Sequence, residues 1–304
     1  MHAVSDDAAG CASASIALTW RDARGGKPRM AERIRKNQRS APTPTALGGS
    51  FASAPDAKAI VTQGYLDASR RPLEVLFFLL PFIALYEYEL VRVLRSPDGL
   101  VTNGAHLALL RLFDAFGLDA IALSLPGFLL VAIFLVQHVL SRGPWIVNLS
   151  VVARMYLESA ALAAPLLVFA ALLERMTPAA QIADFASLPL GARIAVSIGA
   201  GLYEELVFRM VLVGVASMAL VELAGFKRQT AVVAAVALSG LAFALYHPIL
   251  HADGSLDVIR VIFLFGGGLY FGILFVQRGF GIAAATHALF DIATAMMIPA
   301  PSAL

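Results

Sequence analysis

The chain has 304 residues, 59% of them hydrophobic and only 14% charged, with a mean hydropathy of +0.77 and a formal net charge of +2. Soluble domains average about a quarter charged residues, so this composition excludes an ordinary soluble globular protein and points to a membrane protein. So small a net charge, with no basic groove motif, predicts no nucleic-acid partner, and a single cysteine, Cys11, excludes a disulfide framework and a cysteine metal site.

Residues 1–65 are rich in Ala, Ser, Gly and Pro and carry the basic cluster "RGGKPRMAERIRKNQR" with little apolar periodicity. They read as a disordered basic tail. The short apolar stretch "ASASIALTW" precedes the basic cluster, the reverse of a signal peptide's order. From residue 70 to 300 the chain reads as one all-α domain, a polytopic transmembrane helical bundle. Apolar runs of about 20 residues can cross a bilayer as helices. They fall near 73–95, 119–140, 153–174, 192–222, 229–247, 257–277 and 280–298, which gives about seven spans. The fourth is longer than one crossing requires. Between the first two, "GAHLALLRLFDAFG" places Arg111 and Asp114 among apolar residues at helical spacing, the pattern of a helix lying at the interface. With seven spans, the tail, Arg70, Arg71, Arg142, Lys227, Arg228 and Arg278 share one side, and the positive-inside rule then sets the N-terminus in the cytoplasm. Arg far outnumbers Lys and Ala is abundant, as in GC-rich bacterial genomes, so the expected location is a bacterial inner membrane.

Charge inside a span costs several kcal/mol, so it normally faces the bundle interior and has a partner. Three spans carry such groups. In "GLYEELVFRMVLVG", Glu205 and Arg209 are four apart and can pair, whereas Glu204 lies about 100° around the helix with no local cation. In "FALYHP", Phe243 and His247 share a face and Pro248 places His247 at a helix end. In "THALFDIAT", His287 and Asp291 stack four apart on an Ala-rich helix, where Asp can hold a histidine tautomer. Each set alone is also explained as a buried packing network. Converging, they would supply a free carboxylate, two imidazoles and a second carboxylate, an inventory for activating water and stabilising charge on an attacked carbonyl. His251 reads as a loop residue and Ser239 as a small packing residue. Gly268 and Gly272 read as a close helix contact, and Glu87, Glu89 and Glu158 as interfacial or paired charges.

The three segments, in this order, resemble the motif set of the CPBP family of intramembrane proteases, which includes type II CAAX prenyl endopeptidases and bacteriocin-processing, abortive-infection-like proteins. E-E-x-x-x-R matches Glu204, Glu205 and Arg209; F-x-x-x-H matches Phe243 and His247; H-x-x-x-[ND] matches His287 and Asp291. The resemblance covers about 195–297. It implies an endopeptidase in which Glu204 with His247 activates water, His287 and Asp291 support the oxyanion, and Glu205, Arg209 and Phe243 hold the structure. An Asp at position 291 departs from the Asn that could donate to an oxyanion, and Met210 stands where many relatives have Gly. The same four residues, Glu204, His247, His287 and Asp291, are zinc-ligand types. There is no H-E-x-x-H, so the expectation is metal-independent activation with no required cofactor, zinc being the alternative. The expected partners are the bilayer and a membrane-associated peptide or protein substrate. A prenylated substrate is not expected, because bacteria generally lack protein prenylation. The competing function is a non-catalytic immunity or partner-binding protein on the same scaffold.

Overall fold

The computed structural model describes residues 64–96, 99–100, 102–118, 124–174, 185, 187–251 and 253–297. The basic tail expected over 1–65 therefore lies outside the described residues up to residue 63, as does the start of the second expected span, 119–123.

Among the described residues the chain is helical apart from one minimal hairpin and an isolated bridge. Helix α1 is Tyr65–Ala68, and α2 is Pro72–Glu89, opened by Pro72 in the first turn, where its missing N–H costs nothing. A π-wound extension, Leu90–Leu94, follows, then the antiparallel pair β1 (Arg95–Ser96) and β2 (Gly99–Leu100). Helix α3, Gly104–Ala115, lies where an interfacial helix was expected, and Asn103 caps it by accepting the His106 backbone N–H at 2.9 Å. Its outer end is exposed at Leu112 and at the following Phe116, whereas Ala105 and His106 in its first turn are buried. Helices α4 (Leu125–Ser141) and α5 (Leu149–Glu174) precede the run 190–222. That run is α6 (Leu190–Gly199), two π-wound stretches (Ala200–Glu204 and Leu206–Val213) and α7 (Gly214–Glu222). Three helices close the fold: α8 (Arg228–Tyr246), α9 (Val258–Arg278) and α10 (Phe280–Met297).

Four of these helices are long and apolar enough to cross a membrane: Leu149–Leu173, Arg228–Tyr246, Val258–Arg278 and Phe280–Met297. The expected count of seven goes beyond these four. Helix α4 is shorter, and the 190–222 run is divided between α and π winding. The outer faces carry large apolar side chains, among them Phe77, Leu140, Leu157, Val233 and Leu245. In water so many would be an aggregation hazard, and against lipid tails they are ordinary.

Small residues set the packing at the centre. Helix α10 is the most enclosed span, in contact with α5, α6, α9 and the first π stretch, and Ile282, Ala283, Ala284, Ala285 and Ala288 are all buried. A β-carbon on Gly201 would stand 2.6 Å from both the Ala284 carbonyl oxygen and the Ala288 nitrogen. Backbone cannot rotate aside, so Gly201→Ala is expected to force α10 away from the π stretch. The measurement is the thermal midpoint in detergent, which should fall by several degrees; an unchanged midpoint would refute the contact. Gly268 meets α8 in the same way, a β-carbon there lying 2.8 Å from the Gly240 Cα, as the G-x-x-x-G spacing suggested.

Candidate active site

Glu204 ends the first π stretch, and Glu205 bridges to the second. π-Winding is frequent at functional sites, and it displaces side chains from the register of a continuous α-helix. Glu205 and Arg209 form the expected pair, with Oε1 to Nη1 at 3.0 Å and both side chains fully buried. Arg209 also donates Nη2–H to the Gly268 carbonyl at 3.2 Å, a group exposed by the glycine contact between α8 and α9. Its guanidinium lies 4.5 Å from the Phe243 ring centroid and 5.6 Å from that of Phe271. Phe243 thus acts as a lid over the buried cation as well as a helix-face residue.

His247 caps α8, released from helical geometry before Pro248 (φ −87°, ψ 157°). Its Nδ1 lies 2.8 Å from the Phe243 carbonyl. A carbonyl only accepts, so Nδ1 carries the proton and Nε2 presents a lone pair to Glu204, 3.8 Å from Oε2. The following loop closes on itself through a Leu250–Leu256 bridge, and Asp257 caps α9 by accepting the Arg260 N–H at 2.9 Å. His251 is in this loop as expected, 3.9 Å from Asp257 and away from the cavity lining. Hydrogen bonds from the Ser255 hydroxyl and N–H hold the neighbouring Asp253 carboxyl below its usual range.

His287, on α10, completes the group. Its Nε2 is 4.0 Å from Glu204 Oε2 and 3.5 Å from Asp291 Oδ2. Its Nδ1, however, meets Glu205 Oε1 at 2.8 Å. The residue orienting His287 is therefore Glu205 from another helix, whereas Asp291, four residues along its own helix, faces the opposite ring nitrogen. Spacing within one helix could not disclose this, because the contact joins residues 82 positions apart. Phe271 stacks on the His287 ring, with centroids 4.4 Å apart and planes 18° apart; the sequence signal was only an aromatic within the Gly-rich lead-in. The expected structural residues thus touch the expected reactive ones directly.

Glu204, His247, His287 and Asp291 line one cavity of about 130 Å³, walled on its other sides by Leu166, Phe263, Leu264 and Phe290. It has room for several waters or the reacting part of a peptide. The donor types suit zinc, whose tetrahedral ligands stand about 3.3–3.4 Å apart when each is 2.0–2.1 Å from the ion. Here the separations are 3.8, 4.0 and 3.5 Å. Among the described residues no group of three or more His, Cys, Asp or Glu closes to metal-holding geometry. The spacing does not fit, and no step below is routed through a metal.

Glu87, Glu89 and Glu158 resolve into pairs or tyrosine contacts away from this cavity. Glu89 pairs with Arg92 at 3.0 Å, and Glu158 binds Arg278 at 2.5 Å and accepts from Tyr65. Glu87 accepts from Tyr203 at 3.4 Å. Ser239 donates to the Phe208 carbonyl inside the packing, as a small core residue would.

Residues 186–293 match the family model described as Rce1-like, type II CAAX prenyl endopeptidase Rce1-like. No curated protein and no solved structure matches the chain. The matched segment holds all three motifs and every polar side chain lining the cavity. Over residues 186–293, and with four helices apolar enough to cross a membrane, the chain is similar to the integral membrane proteases of the CPBP, CAAX-protease-like family.

Proposed function

We propose that the protein is an endopeptidase that hydrolyses a peptide bond of a membrane-associated protein or peptide with water activated by Glu204 and His247. One observation carries the reading: side chains from three separate helices surround one cavity with separations of 3.5–4.0 Å. A water hydrogen-bonded at about 2.8 Å to each of two acceptors spans a 3.8 Å gap comfortably. It would donate one hydrogen to Glu204 and one to the His247 Nε2 lone pair, leaving an oxygen lone pair for the carbonyl carbon. Glu204 takes the proton as water attacks, and returns it to the leaving amine. His287, held by Glu205 through Nδ1–H, donates Nε2–H to the developing oxyanion when doubly protonated. Asp291 beside Nε2 steadies that proton. No metal is required in this scheme.

The role of Asp291 gives a separate prediction. Asn at this position would donate an N–H that an ionised carboxylate lacks, so Asp291→Asn is expected to retain activity within about tenfold of wild type, whereas Asp291→Ala loses more. Turnover of one peptide by the three proteins checks this, and equal loss in both variants would count against an oxyanion-side role.

For the chain as a whole we propose a seven-span topology with a cytoplasmic N-terminus in a bacterial inner membrane, in which Arg70, Arg71, Arg142, Lys227, Arg228 and Arg278 would share the cytoplasmic side. The proteolysis reading is tested by expressing wild type, Glu204→Ala and His247→Ala at equal membrane levels and comparing N- and C-terminal peptides of the membrane proteome. Products made only by the wild type are expected. If both variants make every wild-type product while the biological phenotype persists, the chain is instead a non-catalytic immunity or partner-binding protein.

A further inference from the structure

The matched segment ends short of a second buried polar cluster, built largely from the chain before residue 107. Tyr86 and His106 are both fully buried and hydrogen-bond through the tyrosine hydroxyl and Nδ1. The same hydroxyl lies 2.6 Å from Thr102 Oγ1. Both rings pack on fully buried Tyr203, with centroids 5.3 and 4.9 Å away. Tyr203 is joined by one peptide bond to Glu204. On the other side of α3's first turn, Gly104 lies so close to the Tyr246 hydroxyl that a β-carbon would collide with it, and that hydroxyl also meets the Ala105 backbone. The Tyr246 ring in turn stands edge-on against the imidazole of His247, its neighbour in sequence, 5.0 Å between centroids. A β-carbon on Gly199 would lie 2.6 Å from Asn103 Nδ2, which seats the same turn against the root of the π stretch.

One helical turn therefore touches the residue preceding each of the two proposed water-activating side chains. A helix resting only at the interface would have no reason to bury a histidine and an asparagine there. We infer that the first turn of α3, Asn103 to His106, is a positioning element that fixes the separation of Glu204 and His247, with Gly104, His106 and Tyr86 as its positioning residues. The inference rests on the reading of Glu204 and His247 as the activating pair. It assigns the N-terminal half of the chain a part in catalysis that its sequence, outside the three motifs, does not advertise. The mechanism is steric: the turn is a spacer between Tyr203 and Tyr246. Misplacing a reacting group by about 1 Å can cost on the order of 100-fold in rate, so a small displacement of either tyrosine would register.

The test uses the full chain in lipid, with histidine-selective ¹⁵N labelling and a fluorogenic peptide spanning a Glu204-dependent cleavage site. Gly104→Ala is expected to lower kcat about tenfold with KM within twofold, and to move the ring resonances of His247 but not those of His251. Tyr246→Phe removes the hydroxyl that the new methyl meets, so the Gly104→Ala/Tyr246→Phe double variant should regain most of kcat and the original His247 resonances. His106→Asn, which keeps a polar atom near the Nδ1 position, should retain more activity than His106→Leu. Wild-type kcat in Gly104→Ala would overturn the inference, and so would a loss of kcat that leaves His247 unmoved or that Tyr246→Phe does not reverse. If the wild type yields no Glu204-dependent product, the proteolysis reading falls, and the His247 resonances alone decide whether the turn controls that side chain: shifted and restored supports it, unshifted refutes it.

Discussion

Glu204→Gln is expected to reduce peptide hydrolysis by about 10²–10⁴-fold, the range attached to a positioned general base, with no loss of folded protein. The amide is isosteric and can still accept a hydrogen bond from water, but it cannot take the proton. Because Glu204 faces His247 and His287 across 3.8 and 4.0 Å and holds no ion pair as close as that of Glu205, neutralising it should leave the helices in place. Purified wild type and variant, matched in thermal midpoint, would be compared on one peptide under single-turnover conditions. Activity within threefold of wild type would remove Glu204 from the chemistry and transfer the role of base to His247.

Glu205→Ala is expected to do the opposite kind of damage. It leaves the fully buried Arg209 guanidinium without its carboxylate and the His287 Nδ1–H without its acceptor. Breaking one partner of a buried pair costs about 3–5 kcal/mol, because the remaining charge is stranded. The Gly268 carbonyl and the Phe243 ring soften that penalty without cancelling a charge. Reversible unfolding in mixed micelles should register the loss. Glu205→Ala combined with Arg209→Met should be less destabilised than Glu205→Ala alone, since the stranded charge has gone. A single variant within about 1 kcal/mol of wild type would mean that the pair contributes little and that Arg209 is held by its carbonyl and ring contacts. The two adjacent glutamates thus separate experimentally: one variant folds and does not cut, the other fails to fold well.

Periodicity and charge in oil made much of this legible. The run near 192–222, the three motif segments, the Glu205–Arg209 pair and the loop position of His251 all follow from spacing along one chain. Contacts across the bundle do not. Nothing in "THALFDIAT" says that Glu205 holds His287, or that Phe271 stacks on it. The π-winding from 200 to 213 is equally silent in the sequence, because an i→i+5 turn uses the same apolar residues as an α-helix and is chosen by its neighbours. The amphipathic pattern around Arg111 and Asp114 located helix α3. It said nothing of the first turn, since a hydrophobic pattern reports how greasy a face is, and His106 and Asn103 are buried through hydrogen bonds instead.

The glycine at position 281 bears on how the chain can be divided. A β-carbon there would lie 3.0 Å from a methyl of Val75 and 3.4 Å from the ring of Phe78, while Tyr156 donates its hydroxyl to the Phe78 carbonyl from α5. The helix bearing His287 is therefore shaped on one side by α2, more than 200 residues earlier in the chain. A fragment beginning at residue 186 would carry every motif and still expose this notch to lipid, with no residue of its own to fill it. Motif inventory and structural unit do not coincide in this protein: a fragment that keeps the packing of the helix bearing His287 has to include α2.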